Sequence, residues 1–324
     1  MPTRFRDCRA SPNLGWRDIQ EILADSAYEP APSAAGFVTN AAKDWNGGGM
    51  HFSDDLGFGI VDANVAVNLA RAWTEQSTSA NMDSVSVAQR NAFSVPVNGT
   101  GQSSVIDTQA VRVQHVTVHI DDSNLPAADT RLVLVSPSGT RSVLLNDAGN
   151  VGGQDHTGGL DLTGSTIESN AFWGESAAGT WTLQVQDSSG RTIGTISDWT
   201  LTIDGDAGTG QAPLVYTPEF AQLASSGGAR TVVSNAGLGT TTIDLIALPN
   251  PTSINLNGGA GEIDGVAVTV NAGLRNVNLD GSTGAATVTA ASAGGSIQGG
   301  AGATTIYGTG GADTITAGQG TTTV

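Results

Sequence analysis

The sequence predicts a mainly β chain: two helices first, then an antiparallel β-sandwich, then a β-rich segment that ends in a parallel β-roll. Three observations predict it. Glycine takes 44 of 324 positions, roughly twice its ordinary usage, and charged residues only 13%. Short apolar or alternating segments recur between turn signals over residues 83–205. Val270, Leu279, Val288, Ile297, Ile306, Ile315 and Val324 stand at a strict nine-residue spacing.

The first helix is expected over residues 16–27, with Ile19, Ile22, Leu23 and Ala27 on one apolar face. Asp62 is placed to cap a second, with Ala63, Ala66, Val67, Ala70 and Trp73 on its buried side. The Gly-rich stretch from Trp45 to Gly49 separates them. Two helices of this size do not bury their apolar faces against each other alone, so a large partner is expected.

Sandwich strands are expected at Phe93–Val97, Val111–Ile120, Arg131–Val135, Ser142–Leu145, Thr180–Gln186 and Asp198–Ile203. Turns at Pro137–Gly139, Asn150–Gly153 and Ser189–Gly190 separate them. Alternation is cleanest around Trp181 and Trp199, and both indoles are read as core. A small-residue linker runs from Asp206 to Pro213. In the tail, a six-residue turn and a three-residue strand repeat, which coils a chain into a β-roll. Thr287, Thr305, Thr314 and Thr323 are expected to stack outward. The organisation is therefore 1–79, 80–206, 207–271 and 272–324.

The net charge of −17 disfavours nucleic acid and anionic membranes as partners. No apolar run is long enough to span a bilayer. Cys8 is the single cysteine, so no intrachain disulfide or cysteine metal site is available. Residues 1–9 do not read as a signal peptide.

Nucleophilic hydrolysis needs a serine beside a histidine, a carboxylate to orient it, and oxyanion donors. No Gly-Thr-Ser-x-Ala-x-Pro, His-Gly-Thr or Gly-x-Ser-x-Gly string is present, and the expectation is no catalytic residue in the chain. Of the four histidines, His115 and His119 fall on one face of a strand and read as packing, and His156 reads as a solvated loop residue.

Asn13–Leu23 resembles the helix that follows the catalytic-serine helix in kexin-type subtilisin-like proteases, and Gly57–Ala63 resembles the closing turn and last helix of that domain. Arg131–Thr140, Phe172–Glu175, Gly179–Asp187 and Gly194–Leu201 resemble, in order, the signatures of the P (Homo B) domain that follows it. The nonapeptide tail is similar to RTX repeats, whose turns bind calcium through an aspartate. Here that position holds Ala286, Gly295, Thr304, Asp313 and Thr322, so only Asp313 fits.

These resemblances imply a remnant of a subtilisin-like α/β domain, then a P domain that packs on and stabilises a catalytic domain, then a roll with largely lost calcium sites. Candidate calcium ligands are Asp121, Asp122, Asp129 and Asp313. The implied function is the non-catalytic C-terminal portion of a secreted serine endopeptidase. Its implied partners are the missing catalytic domain and, for the whole enzyme, a polypeptide substrate. The export signal is expected outside the chain. Both ends read as cut, and the natural protein is expected to continue. The alternative is a non-enzymatic extracellular adhesion module on the sandwich and roll.

Overall fold

The structure is a computed structural model that describes residues 11, 13–30, 36–73, 76–123, 125, 127–147, 162–187, 194–207, 212–225, 230–235 and 241–324. Cys8, His156 and the turns at 150–153 and 189–190 lie outside the described residues.

The N-terminal layer holds α1 (Trp16–Asp25) and α2 (Ala63–Ala72) with two short ribbons. In these, β1 (Ala27–Tyr28) pairs with β4 (Ile60–Val61), and β2 (Val38–Thr39) pairs with β3 (His51–Phe52), both antiparallel. Asp62 caps α2 through its side chain, which accepts from Asn64 N and Val65 N. The faces differ from those the apolar spacing predicts. On α1 the buried residues are Arg17, Asp18, Glu21, Ile22, Ala24 and Asp25, while Ile19 and Leu23 are exposed. On α2 they are Val65, Asn68 and Leu69, while Ala63 and Val67 are exposed.

The sandwich follows. Strands β5 (Asp83–Gln89), β6 (Phe93–Val95), β7 (Thr100–Asp107), β8 (Val111–Ser123), β9 (Thr130–Val135), β10 (Arg141–Asn146), β11 (Ser165–Ser169), β12 (Gly179–Asp187) and β13 (Gly194–Ala207) form two antiparallel sheets. One has the order β10-β9-β12-β7, and the other β11-β8-β13-β5 with β6 also on β13. The six expected strands are all present, and β5, β7 and β11 are added. Trp181 and Trp199 are fully buried, and each indole N–H finds a partner, Ala177 O at 2.8 Å and Ser103 Oγ at 2.7 Å.

The parallel coil begins at Leu214, well before residue 272. One sheet takes β14 (Leu214–Tyr216), β16 (Thr242–Leu245), β20 (Asn276–Asn278), β22 (Gly295–Gln298) and β24 (Asp313–Thr316), all parallel. The other takes β15 (Val232–Val233), β17 (Thr252–Asn255), β18 (Gly259–Ile263), β19 (Val266–Val270), β21 (Ala286–Thr289), β23 (Thr304–Tyr307) and β25 (Thr322–Thr323). Successive nine-residue units from β21 onward feed alternate sheets, so Val288 pairs with Ile306 and Ile297 with Ile315. Thr287, Thr305 and Thr323 stack on one sheet, and Thr314 lies on the other beside Ser296. Coils approach closely at glycine: a Cβ on Gly318 would lie 2.1 Å from Gly300 O.

The nine-residue register does not extend back to Val270. Val270 belongs to the antiparallel hairpin β18–β19, closed by Asp264 and Gly265 with φ of 50° and 80°. Ile297 pairs with Val277 rather than Leu279. The hairpin occupies the sheet position a uniform coil would fill, and β20, the strand after it, is out of the nine-residue register.

The large partner for the helices is supplied in part by the chain itself. Ile22, Trp45, Met50, Val65 and Leu69 pack with Trp173 of the sandwich and with Val215 and Ile246 of the roll. The Trp45–Gly49 stretch joins the roll through backbone hydrogen bonds, Asn46 N to Val215 O and Val215 N to Asp44 O, both 2.7 Å. Gly47, at φ +66°, sits where a Cβ would meet Arg230 O at 2.3 Å, so this contact requires glycine.

Candidate functional site

Two features of α1 define the site. Its charged face is turned inward onto the sandwich, and Trp16, Ile19 and Leu23 on the opposite side are half-exposed.

Arg17 is fully buried. Its guanidinium reaches Gln114 Oε1 at 2.8 Å and Thr78 O at 3.2 Å, and it forms a close ion pair with Asp206. Arg112, on the edge of β8, bridges Glu21 at 2.5 Å and Asp44 at 2.7 Å. Gln114 donates to Asp206 at 2.9 Å and to Glu21 at 3.3 Å. Asp18 accepts from Gly15 N, Trp73 Nε1 and Ser77 N at 2.6, 2.9 and 2.9 Å, tying the start of α1 to the chain beyond α2.

Carboxylates outnumber guanidiniums along this seam. Burial pushes Glu21 up to about 7, with the Arg112 charge opposing it. Burial, then the Glu21 charge, holds Asp25 well above its ordinary value. For Arg112, burial acts downward, but Asp44, Glu21 and Asp25 together outweigh it and raise it. The guanidinium therefore stays charged, while burial shifts Glu21 and Asp25 toward their protonated forms.

A second buried group sits at the roll. His51 Nε2 lies 2.7 Å from Phe58 O, and its Nδ1 lies 3.8 Å from Glu219 Oε2. Burial lowers His51 to about 4 and raises Glu219 to about 7. Arg230 donates to Asn46 O and Gly49 O at 3.1 and 2.7 Å.

The opposite face of α1 carries Trp16, Ile19 and Leu23, which are 46, 48 and 44% exposed. Tyr28, Ile60, Val61 and Val67 on β1, β4 and α2 are also exposed.

Among the described residues, the side chains of Asp121, Asp129 and Asp313 do not come together. Asp121 is exposed on β8, accepting from Thr200 Oγ1 at 3.0 Å and lying 3.6 Å from His119 Nε2. Asp122 pairs with Asp198 in the register of β8 and β13. Asp129 is buried in a short 3-10 turn before β9. Asp313 starts β24, far along the roll, with Oδ1 lacking a hydrogen-bond partner. Among the described residues no three His, Cys, Asp or Glu side chains are grouped to hold a metal ion. Asp121, Asp129 and Asp313, each on its own element, do not by themselves supply the six to eight oxygens a calcium ion wants. His115 and His119 are likewise separately engaged, with Asn170 at 2.7 Å and Thr166 at 2.8 Å.

Sequence reasoning missed the seam. Its signal was available: Arg17, Asp18, Glu21 and Asp25 form their own stripe at helical spacing.

Comparison with known proteins agrees with this architecture. The Proprotein convertase P-domain family matches residues 113–203. Endoprotease bli-4 of Caenorhabditis elegans is 31% identical over 222 residues, covering 63% of this chain and 21% of that protein. The Aeromonas extracellular serine protease of Aeromonas sobria is 32% identical over 207 residues, covering 55% of this chain and 32% of that protein. The crystal structure of the serine protease of Aeromonas sobria superimposes with a TM-score of 0.50 at 26% identity, covering 60% of this chain and 41% of that one. The chain thus spans about a fifth to a third of the length of these curated relatives. Over residues 113–203 the chain matches the P-domain model, and its wider likeness is to the P-domain-bearing region of kexin- and subtilisin-type proteases.

Proposed function

We propose that this chain is the C-terminal support of a secreted subtilisin/kexin-like serine endopeptidase that acts on polypeptides, and that α1, β1, β4 and α2 seat its catalytic segment. The observation that carries this reading is the orientation of α1. A surface helix normally turns its apolar stripe inward. Here the charged stripe is used up by the sandwich, and Trp16, Ile19 and Leu23 face out. Covering the half of each side chain that is exposed contributes about 1 kcal/mol, roughly half the value for full burial. Extracellular action rests on the Aeromonas extracellular protease among the relatives, and no described helix is long and apolar enough to cross a membrane.

The test is to place residues 13–324 behind a triad-bearing segment in one enzyme and measure its thermal inactivation. Trp16→Glu with Leu23→Glu shortens the half-life at elevated temperature while the fold of residues 13–324 alone is unchanged. An unchanged half-life refutes the seat. Attachment of the isolated chain to cell surfaces, with no effect on any protease, favours the adhesion reading instead.

A further inference from the structure

A cavity of about 670 Å³ opens where the helical layer, the sandwich and the roll meet. That volume lies in the roughly 300–1,000 Å³ range of small-molecule sites, which favour domain junctions. Glu21, Arg112 and Asp206 of the seam line its inner end, and the remaining lining takes no part in the seam.

Its floor is the outer face of a roll sheet. Ile243, Val277 and Ile297 are buried in the roll, so the residues flanking them on each strand point the other way. Register places Asp244 beside Asn278 and Asn278 beside Gln298. It places Thr242 beside Asn276, and Ser296 N donates to Asn276 Oδ1 at 3.0 Å. Strands lie about 4.8 Å apart, and alternate residues about 6.8 Å apart along each strand, so six polar side chains form a flat grid. Trp73, Pro213 and Ala207 contribute apolar wall, and Arg71 and Asp280 stand at the margin, 3.6 Å apart. The Trp73 indole N–H is held by Asp18 at 2.9 Å, which fixes the ring.

The chemistry of this lining selects a ligand class. Carboxylates accept, a guanidinium donates, and amides and hydroxyls do both. A simple amine offers only donors, and a simple anion only acceptors. Neighbouring hydroxyls on a sugar ring offer both, spaced for planar amide and carboxylate groups, and the ring's C–H face suits an indole. We infer that this cavity binds a short oligosaccharide, with its hydroxyls on the Asp244–Asn278–Gln298 row and an apolar ring face toward Trp73. Burial raises Asp244 to about 7, with the Asn278 amide opposing it. Near neutral pH the carboxyl then both donates and accepts, which lessens its preference for a cation.

The experiment is titration calorimetry of residues 1–324 with cello-, malto-, xylo- and chito-tetraose at millimolar concentration. At least one tetraose is expected to bind one per chain. Asn278→Ala and Gln298→Ala are each expected to weaken it about tenfold, the worth of a lost hydrogen bond. Ser296→Trp, which fills the grid without touching the roll core, abolishes binding. Circular dichroism and the thermal midpoint confirm that each variant is folded. The inference is overturned if no tetraose binds, if binding survives all three substitutions, or if n-butylamine binds at the same residues more tightly than every tetraose.

Discussion

Arg112 of the sandwich lies 2.5 Å from Glu21 of α1 and 2.7 Å from Asp44. One guanidinium thereby joins the P domain to both halves of the helical layer. Because Asp25 and Asp206 add further negative charge nearby, the arginine is the counter-ion of a seam rather than of a pair.

Removing that counter-ion leaves carboxylates buried without compensation. Arg112→Met is expected to cost about 3–5 kcal/mol, the usual penalty for orphaning a buried charge. Adding Glu21→Gln to Arg112→Met is expected to recover part of the loss, because one uncompensated carboxylate is removed. Urea unfolding of the two variants and the double variant checks this. Additive losses would contradict a shared network.

Stability should depend on pH through the same groups. Glu21, Asp244 and Glu219 rise to about 7 in the folded chain, chiefly by burial, from ordinary values of 4.5, 3.8 and 4.5. The folded state therefore holds protons that the unfolded chain has released. Their contribution is fully present below about pH 4 and is lost as pH rises through 7, by about 1.4 kcal/mol per pH unit for each proton. His51, lowered to about 4 by burial, acts oppositely, its contribution being lost as pH falls from 6.5 to 4. Chemical denaturation between pH 5 and 8 should show stability falling with pH, with a shallower slope in Glu21→Gln/Asp244→Asn. A rising slope would contradict these assignments.

Much of this architecture is legible in the sequence, and the reasons differ by region. In the sandwich, alternation around Trp181 and Trp199 reflects a half-buried sheet, so strand identity and burial follow directly. The edge strand β7 carries Ser103, Ser104 and Gly101, whose weak alternation hid it. The Asp264-Gly265 turn between apolar runs is itself a hairpin signal, yet the nine-residue period drew Val270 into the coil. On α1, apolar spacing does indicate a helix, but it does not say which face is inside. The choice was made by Arg112, Gln114 and Asp206, residues some ninety to 190 positions away.

Asp121, Asp129 and Asp313 are not expected to hold a calcium ion together. Asp121, Asp129 and Asp313 sit on separate elements, and no described group of acids is arranged for an ion. The thermal midpoint of residues 1–324 is expected to move by no more than about 1 °C between EDTA and millimolar calcium, since stabilisation scales with binding. A rise of several degrees would show an ion held by residues outside this reading.

The roll should fail at its close approaches. Gly318→Val places a side chain where Gly300 O lies 2.1 Å from the ideal Cβ position. It is expected to raise hydrogen exchange across β23–β25 while leaving the sandwich protected. Exchange spreading equally into β8 and β13 would show that the roll and sandwich unfold as one unit.

The most direct measurement of the central claim uses a fusion of a triad-bearing subtilisin-type segment to residues 13–324. Hydrogen exchange at α1, β1 and β4 is compared between that fusion and residues 13–324 alone. Strong added protection at Trp16, Ile19 and Leu23, lost in Trp16→Glu/Leu23→Glu, is the result expected if this face seats the catalytic segment. Equal exchange in the two proteins would contradict it.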